Sequence, residues 1–214
     1  MTDQATSAPP TVRKSGKRTR LSPQLRKAQI LDDAARLILD EGLTAVSMER
    51  LGREAGISKA LVSNYFPSRD DLLTALLHRE QTELRDRGMA TAMQAHTFGD
   101  LIRQTTRVYL DHVRDRGSLI TALLSDPSVA RLMEAENRED RDRTIRFFVK
   151  RVRETYGLPL GIAVASVDLL MAVTDGAGKL MAQGALTPRM AEDMAVHLII
   201  GGLERTARHM PRDG

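Results

Sequence analysis

Residues 47–66, SMERLGREAGISKALVSNYF, constrain the fold of this chain more than any other stretch. Ser47 and Ser58 each precede a short helical pattern and are favoured N-cap residues. Between the two patterns lies Gly56, which can end a helix in the left-handed conformation without steric cost. Pro67 has no backbone N–H with which to continue the second helix. The stretch therefore predicts a helix-turn-helix, whose second helix is of the kind that enters a DNA major groove.

The second helix of this pair has two different sides. On a wheel of 3.6 residues per turn, Val62 and Phe66 share one side with Ser58, and Ala60 and Asn64 lie opposite. An asparagine amide pairs with adenine through two hydrogen bonds, and small apolar groups contact the thymine methyl. The flanks carry Lys59, Leu61 and Ser63, with Tyr65 at the edge of the inner side. These residues alone leave open a DNA-reading face or an ordinary solvated face.

Further motifs surround this hairpin in a fixed order. They are ILDDAARLI at 30–38, Gly42, Ser47, AGIS at 55–58, YF at 65–66 and SRDDLL at 68–73. With them, residues 24–84 resemble the N-terminal domain of TetR-type regulators, in both the order and the spacing of the motifs. The chain departs from that family at Ala60, where glycine is usual, and at Ser63, where an aromatic residue is frequent. The resemblance implies that this region binds DNA.

The candidate DNA-binding residues fall in four places. They are Arg18 and Arg20 before the first helix, Ser47 and Met48 at the start of the hairpin, Lys59, Ala60, Leu61, Ser63, Asn64 and Tyr65 on its second helix, and Ser68 and Arg69 after it. The last two residues begin a long helix, and the N–H groups and dipole of a helix N-terminus favour phosphate. Arg26 and Lys27 of the first helix touch phosphate or lie on a solvated face.

Composition limits the class of protein. The chain has 214 residues, 42% of them hydrophobic but only 3% aromatic, with no dense β-branched alternation, and this pattern predicts an all-α fold. Because there is no cysteine, disulfides, thiolate metal sites and cysteine nucleophiles are excluded. Residues 1–31 hold seven Lys or Arg against one Asp, a bias that suits contact with phosphates.

The location of the protein is predicted from its apolar segments. The N-terminus is polar and lacks the apolar core of a signal peptide. The longest apolar run, near 158–174, contains Ser166 and Asp168 and is predicted to be too short to span a bilayer. We therefore expect a soluble cytoplasmic protein that does not bind membranes.

Three regions follow along the chain. Residues 1–21 are predicted to be a disordered basic arm, either a DNA-binding arm or a solubilising tail. Residues 22–84 form the helix-turn-helix domain, with a first helix from Pro23 to Gly42 and a long helix over 69–87. Residues 85–214 form a helical domain, with helices predicted at 98–115, 118–125, 128–156, 159–183 and 187–210 from the Gly and Pro breaks between them.

The last two predicted helices are apolar nearly all round, which indicates burial on several sides. In TetR-type proteins the final two helices pack against those of a second subunit, and these segments suit that role. The candidate dimer-interface residues are Ala172, Gly176, Leu180, His197, Ile200 and Leu203. The alternative is burial inside a monomer. Paired half-sites in DNA favour the dimer.

The middle helices carry polar groups on otherwise apolar faces, as a small-molecule site does. The candidate ligand-binding residues are Thr105, Tyr109, His112, Phe148, Val152, Asp168, Met171 and Asp175. Each has an alternative as a core, surface or locally paired group. The resemblance implies an effector pocket among these helices, and the apolar character of the set favours a hydrophobic effector.

Two other classes of protein compete with a regulator. No G-x-S-x-G, HExxH or complete phosphate-loop motif occurs, and the histidines have no metal-binding spacing, so an enzyme, a metal site and a cofactor are not expected. A DNA-binding protein without an effector would not need the residues after 84. The sequence thus favours a ligand-responsive, homodimeric repressor that leaves a palindromic operator when a small effector binds.

Overall fold

The computed structural model describes residues 21–136 and 138–209, with the backbone only for 132–136 and 138–141. Within these ranges the chain is all-α as predicted, with a short 3-10 helix at Leu43–Ala45 and no β-strand. The helices are α1 (Pro23–Glu41), α2 (Met48–Glu54), α3 (Lys59–Tyr65), α4 (Arg69–Gln94), α5 (Phe98–Leu124), α6 (Pro127–Glu136), α7 (Arg138–Tyr156), α8 (Leu160–Ala182) and α9 (Pro188–His209).

The predicted helix-turn-helix is confirmed as α2 and α3, and its capping residues act as expected. The Ser47 hydroxyl accepts the Arg50 N–H at 3.1 Å, and the Ser58 hydroxyl accepts the Leu61 N–H at 3.1 Å. Gly56 turns the chain between the helices with φ +64°. Each cap pairs an N–H group that the helix itself leaves without a partner, and so fixes where the helix starts.

A first hydrophobic core joins α1–α4 to the end of α5 and the start of α6. Val62 and Phe66, from the inner side of α3, are buried in it. Leu119 and Leu123 of α5 are fully buried in the same core, and burying each such leucine contributes about 1.5–3 kcal/mol. The second half of the chain therefore helps to hold the helix-turn-helix. The predicted boundary at 84/85 falls inside α4, which continues unbroken across it.

A second core joins α5, α7, α8 and α9, and the helix lengths differ here from the prediction. The predicted break at Gly117 is wrong, because α5 runs unbroken to Leu124. A side chain at Gly117 would only touch Val113, so this glycine meets no crowding that would bend the helix. The predicted helix 128–156 is instead two helices, α6 and α7, and α4 extends to Gln94 rather than ending at 87.

α8 matches the predicted helix 159–183 to within one residue at each end. It has 23 residues, and its most apolar 18-residue window has a mean hydropathy of 1.6. By length and composition it could cross a bilayer, so the prediction that this run is too short was wrong. Ser166 and Asp168 do not interrupt the helix. Only 17% of the window is buried within the chain, and 11 of the 23 residues of α8 are exposed.

Candidate functional site

The outer side of α3 forms an exposed surface held by a buried inner side. Val62 is fully buried and Phe66 nearly so. Lys59, Ala60 and Asn64 are exposed, in the arrangement that the helical wheel predicts. Leu61 is also exposed, while Ser63 and Tyr65 are half-buried. The surface thus presents a cation, a methyl group and an amide to solvent on a rigid support.

The α2–α3 turn is closed by backbone contacts rather than by side chains. The Ile57 N–H donates to the Gly52 carbonyl at 2.8 Å. A Cβ added at Gly52 would lie 2.9 Å from the Ile57 carbonyl oxygen, so the turn packs directly on α2 at a position without a side chain. This close approach fixes the angle at which α3 leaves α2.

Ser47, Ser68 and Met48 have structural roles in the helix-turn-helix. The Ser47 hydroxyl caps α2. The Ser68 hydroxyl accepts the Asp71 N–H at 3.1 Å and donates to the Asp71 carboxylate at 2.7 Å. Met48 packs half-buried against the first core. Arg18 and Arg20 lie outside the described residues.

The proposal that Arg69 contacts phosphate conflicts with its position. Its guanidinium donates to the Val46 and Leu43 carbonyls at 3.1 Å each, and to the Asp126 carboxylate at 3.0 Å. Hydrogen bonds from Ser128 and Arg69 lower the pKa of Asp126 to about 2. Arg69 therefore links the loop before α2 and the start of α4 to the residue that precedes α6. This role of Arg69 could not be predicted from the sequence, because Asp126 lies 57 residues away in the chain.

The two basic residues at the start of α1 are engaged within the chain. The Arg26 guanidinium donates to the Gln29 side chain at 2.9 Å. The Lys27 ammonium lies 5.4 Å from the centre of the Phe66 ring, in cation–π contact.

A buried polar cluster connects α1, α4 and α5. Glu80 is fully buried and pairs with Arg79 at 3.1 Å and with Arg116 at 3.2 Å. Arg79 also pairs with Asp32 of α1 at 2.7 Å. His112 is almost completely buried, and burial lowers its pKa. The cluster links α1 and α4, which pack beside the helix-turn-helix, to α5.

A cavity of about 430 Å³ lies among α4, α5, α7, α8 and α9. Five of the predicted ligand-binding residues line it, namely Thr105, Tyr109, Phe148, Met171 and Asp175. Three do not. Val152 is fully buried in the second core, His112 belongs to the polar cluster beside Glu80, and Asp168 is exposed on α8.

Sequence reasoning missed the α4 wall of this cavity. That wall consists of Gln81, Leu84, Arg85, Gly88 and Met89. The prediction ended α4 at residue 87 and named none of its residues as ligand-binding. The continuation of the helical pattern beyond Gly88 was the available signal.

Tyr109 and Asp175 form a pair at this cavity. Burial raises the pKa of the Tyr109 hydroxyl, and the charge of Asp175 and a hydrogen bond to it raise the pKa further. The ring of Tyr109 lies against Gly178, where an added Cβ would be 2.9 Å from the ring carbon Cε1. The missing side chain at Gly178 lets the ring reach Asp175, one helical turn earlier on α8.

α8 and α9 leave an apolar surface uncovered. Ala172, Leu180 and His197 are exposed as a dimer interface requires, and Gly176 is half-buried. The assignment of Leu203 to this surface was wrong, because Leu203 is buried in the second core. Ile200 also packs against that core. The large exposed residues that the prediction missed are Val164, Leu169, Met190, Met194 and Leu198.

Comparisons with known proteins agree with this architecture. The family described as "Bacterial regulatory proteins, tetR family" matches residues 30–76. The HTH-type transcriptional regulator BetI of Rhizobium meliloti (strain 1021) is 30% identical over 162 residues, which cover 75% of this chain and 76% of the relative. The same-named regulator of Brucella anthropi is 25% identical over 179 residues, covering 80% and 89% of the two chains.

Solved structures resemble the fold at lower sequence identity. A putative transcriptional regulator from Pseudomonas aeruginosa PAO1 superimposes with a TM-score of 0.72 at 16% identity, covering 93% of this chain and 100% of the other. The fatty acid degradation regulator FadR from Bacillus halodurans has a TM-score of 0.65 at 13% identity, covering 86% and 98%.

Proposed function

The chain belongs to the TetR family of bacterial regulatory proteins, and we propose that it is a homodimeric, ligand-responsive repressor of transcription. The observation that carries this proposal is the outer side of α3. Lys59 and Asn64 point away from a buried inner side formed by Val62 and Phe66. A helix supported in this way enters a major groove without rearranging its core.

The proposed dimer uses the uncovered surface of α8 and α9. Met190, Met194 and Leu198 are spaced by four residues and form one exposed stripe along α9. Leu169 and Leu180 lie on the exposed surface of α8. Contiguous apolar surface of this kind marks an interface. A two-fold pair of chains would hold two α3 helices roughly 34–36 Å apart, to match successive major grooves.

The exposed apolar surface of α8 also concerns the location of the protein in the cell. Covering α8 with a second copy of the chain accounts for its apolar exposure without a membrane. We accordingly assign the protein to the cytoplasm, where its DNA partner is.

The proposed switch uses α4. This helix begins beside the helix-turn-helix at Arg69 and also forms one wall of the cavity through Gln81, Leu84 and Met89. An effector that fits the cavity better when α4 is displaced would move α3 out of register with DNA. Binding to the two states must then differ by about 1–3 kcal/mol to produce coupling of the usual size.

Two substitutions in α3 test the DNA-reading assignment. Lys59→Ala should weaken binding to all DNA sequences and lower the salt slope by about one, because a phosphate contact carries no sequence information. Asn64→Ala should cost about 1–3 kcal/mol and relax the preference at one base pair. Lys150→Ala, which removes an exposed lysine of α7, serves as the matched control.

The assay is a gel-shift titration with DNA from upstream of the protein's own gene, preceded by footprinting. If neither α3 variant differs from Lys150→Ala, the outer side of α3 does not read DNA. An effector-independent DNA-binding protein is the alternative. For such a protein, no metabolite would both raise the melting temperature and release the DNA.

A further inference from the structure

Two threonine hydroxyls on the α5–α8 wall of the cavity are hydrogen-bond acceptors rather than donors for a ligand. The Thr105 hydroxyl already donates to the Leu101 carbonyl at 2.7 Å, and the Thr174 hydroxyl to the Leu170 carbonyl at 3.0 Å. The Tyr109 hydroxyl lies beside Asp175, whose negative charge helps to raise its pKa. With their protons committed, the two threonine hydroxyls can only accept hydrogen bonds from a ligand.

Asp175 adds a negative charge to the same wall. A carboxylate has about four acceptor sites. No salt bridge joins Asp175 to a lysine or arginine of which the structure describes the side chain. Asp175 is exposed and lines the cavity, so it lies at the cavity mouth and is hydrated while the cavity is open. A ligand that displaces this water must supply donors or a positive charge to compensate.

The rest of the cavity is mostly apolar and partly aromatic, with the polar residues Gln81, Arg85, Thr106 and Thr144 among its lining. Phe148 and the Tyr109 ring lie near flexible methionines, Met89 and Met171. Aromatic faces attract cations, and thioethers adapt to irregular apolar shapes. The guanidinium of Arg85 belongs to the opposite, α4 side, where it donates to the Thr82 hydroxyl at 3.1 Å.

We propose that the cavity binds an amphipathic organic cation, with its ammonium group against Asp175 and Tyr109 and its apolar body between Phe148 and Met171. This inference rests on the proposed function, because it names the class of effector for the same cavity. Gly178 is a positioning residue in this arrangement, since it admits the Tyr109 ring beside Asp175.

The test compares three probes that share one alkyl chain. Decyltrimethylammonium, decanol and decanoate are titrated into the full-length protein by calorimetry, below the concentrations at which they form micelles. The cation should bind at least about tenfold more tightly than decanol, the size of effect expected when a cation meets an aromatic ring and a partly desolvated carboxylate. Decanoate should bind more weakly than decanol.

Two matched variants locate the charge. Asp175→Asn should lower the affinity for the cation about tenfold and leave the affinity for decanol unchanged. Asp168→Asn removes an exposed carboxylate from the same helix outside the cavity and should change neither affinity. Gly178→Ala should also weaken cation binding, because the added methyl group displaces the Tyr109 ring.

Several outcomes would overturn the proposal. The proposal is wrong if the cation does not bind, if decanoate binds more tightly than the cation, or if wild type and Asp175→Asn bind the cation with equal affinity. Gel shifts on the same samples separate this failure from failure of the proposed function. If DNA binding is intact and the cation does not bind, only the effector class is wrong. If the protein does not bind DNA, the proposed function itself fails.

Discussion

Replacing Arg69 with alanine is expected to lower the stability of the protein rather than remove a DNA contact. The guanidinium hydrogen-bonds to three partners within the chain, the carbonyls of Leu43 and Val46 and the Asp126 carboxylate, and it also lies 3.8 Å from the Asp70 carboxylate. The three hydrogen bonds join segments that meet at the start of α4.

The size of the loss follows from these contacts. Each lost hydrogen bond to a carbonyl costs about 1 kcal/mol net. The Arg69 side chain is 32% exposed, so its ion pair with Asp126 is screened and contributes at most about 1 kcal/mol. The sum is about 2–3 kcal/mol. For a chain of this length that corresponds to a fall of roughly 5–10 °C in melting temperature.

The assay is urea and thermal unfolding followed by circular dichroism. Asp126→Asn serves as the matched variant, because it weakens the ion pair and leaves both carbonyl contacts of Arg69 in place. It should cost less than Arg69→Ala, and the double variant should show that the two effects are not additive.

A pH titration adds a second measurement. The pKa of Asp126 is held near 2, below the ordinary 3.8, by hydrogen bonds from Ser128 and Arg69. A carboxyl with a lowered pKa contributes stability that is present above the ordinary pKa and lost as pH falls towards the folded-state pKa. Wild type should therefore lose stability between about pH 4 and 2, and Arg69→Ala should lose less over that interval.

One result would refute this reasoning. If Arg69→Ala unfolds like wild type and reduces the salt dependence of DNA binding by about one unit of slope, Arg69 contacts phosphate and its contacts within the chain contribute little.

Three further predictions follow from the packing. Gly52→Ala should destabilise the protein by about 1–3 kcal/mol in urea unfolding, because the added methyl group would crowd the Ile57 carbonyl. Its control is Gly117→Ala in α5, which should stabilise the protein by about 0.5–1 kcal/mol, because alanine favours a helix and meets no crowding there. Burial lowers the pKa of His112, so stability should fall as pH drops below about 6.5, and His112→Gln should lose less stability from pH 7 to 5. Leu198→Glu should yield monomers in sedimentation experiments, and a dimer that persists would contradict the α8–α9 interface.

The local features of the fold were predictable from the sequence. The caps at Ser47, Ser58 and Ser68 and the turn at Gly56 depend on neighbours within three or four residues. The inner side of α3 was predictable because helical periodicity places Val62 and Phe66 together. Five of the 18 residues that line the cavity were predictable from apolar faces that carry isolated polar groups.

Features that depend on distant partners were not predictable. Arg69 looked like a phosphate ligand until Asp126 and the carbonyls of the 43–46 loop were placed around it. Leu203 looked like an interface residue because α9 is apolar on more than one side, and periodicity does not say which side meets the second core. His112 and Val152 were predicted to line the cavity but lie outside it, because periodicity does not say which neighbouring helix each residue faces.

The sequence alone determined the helix-turn-helix and the caps of α2, α3 and α4, because hydrogen bonding and steric preference act over a single turn of helix. Contacts between distant segments determined that α5 shares the core of the helix-turn-helix, that Arg69 bonds to Asp126 and that the Tyr109 ring packs over Gly178 beside Asp175. Those outcomes depend on how whole helices approach one another, and this geometry is fixed by the packing of side chains far apart in the chain.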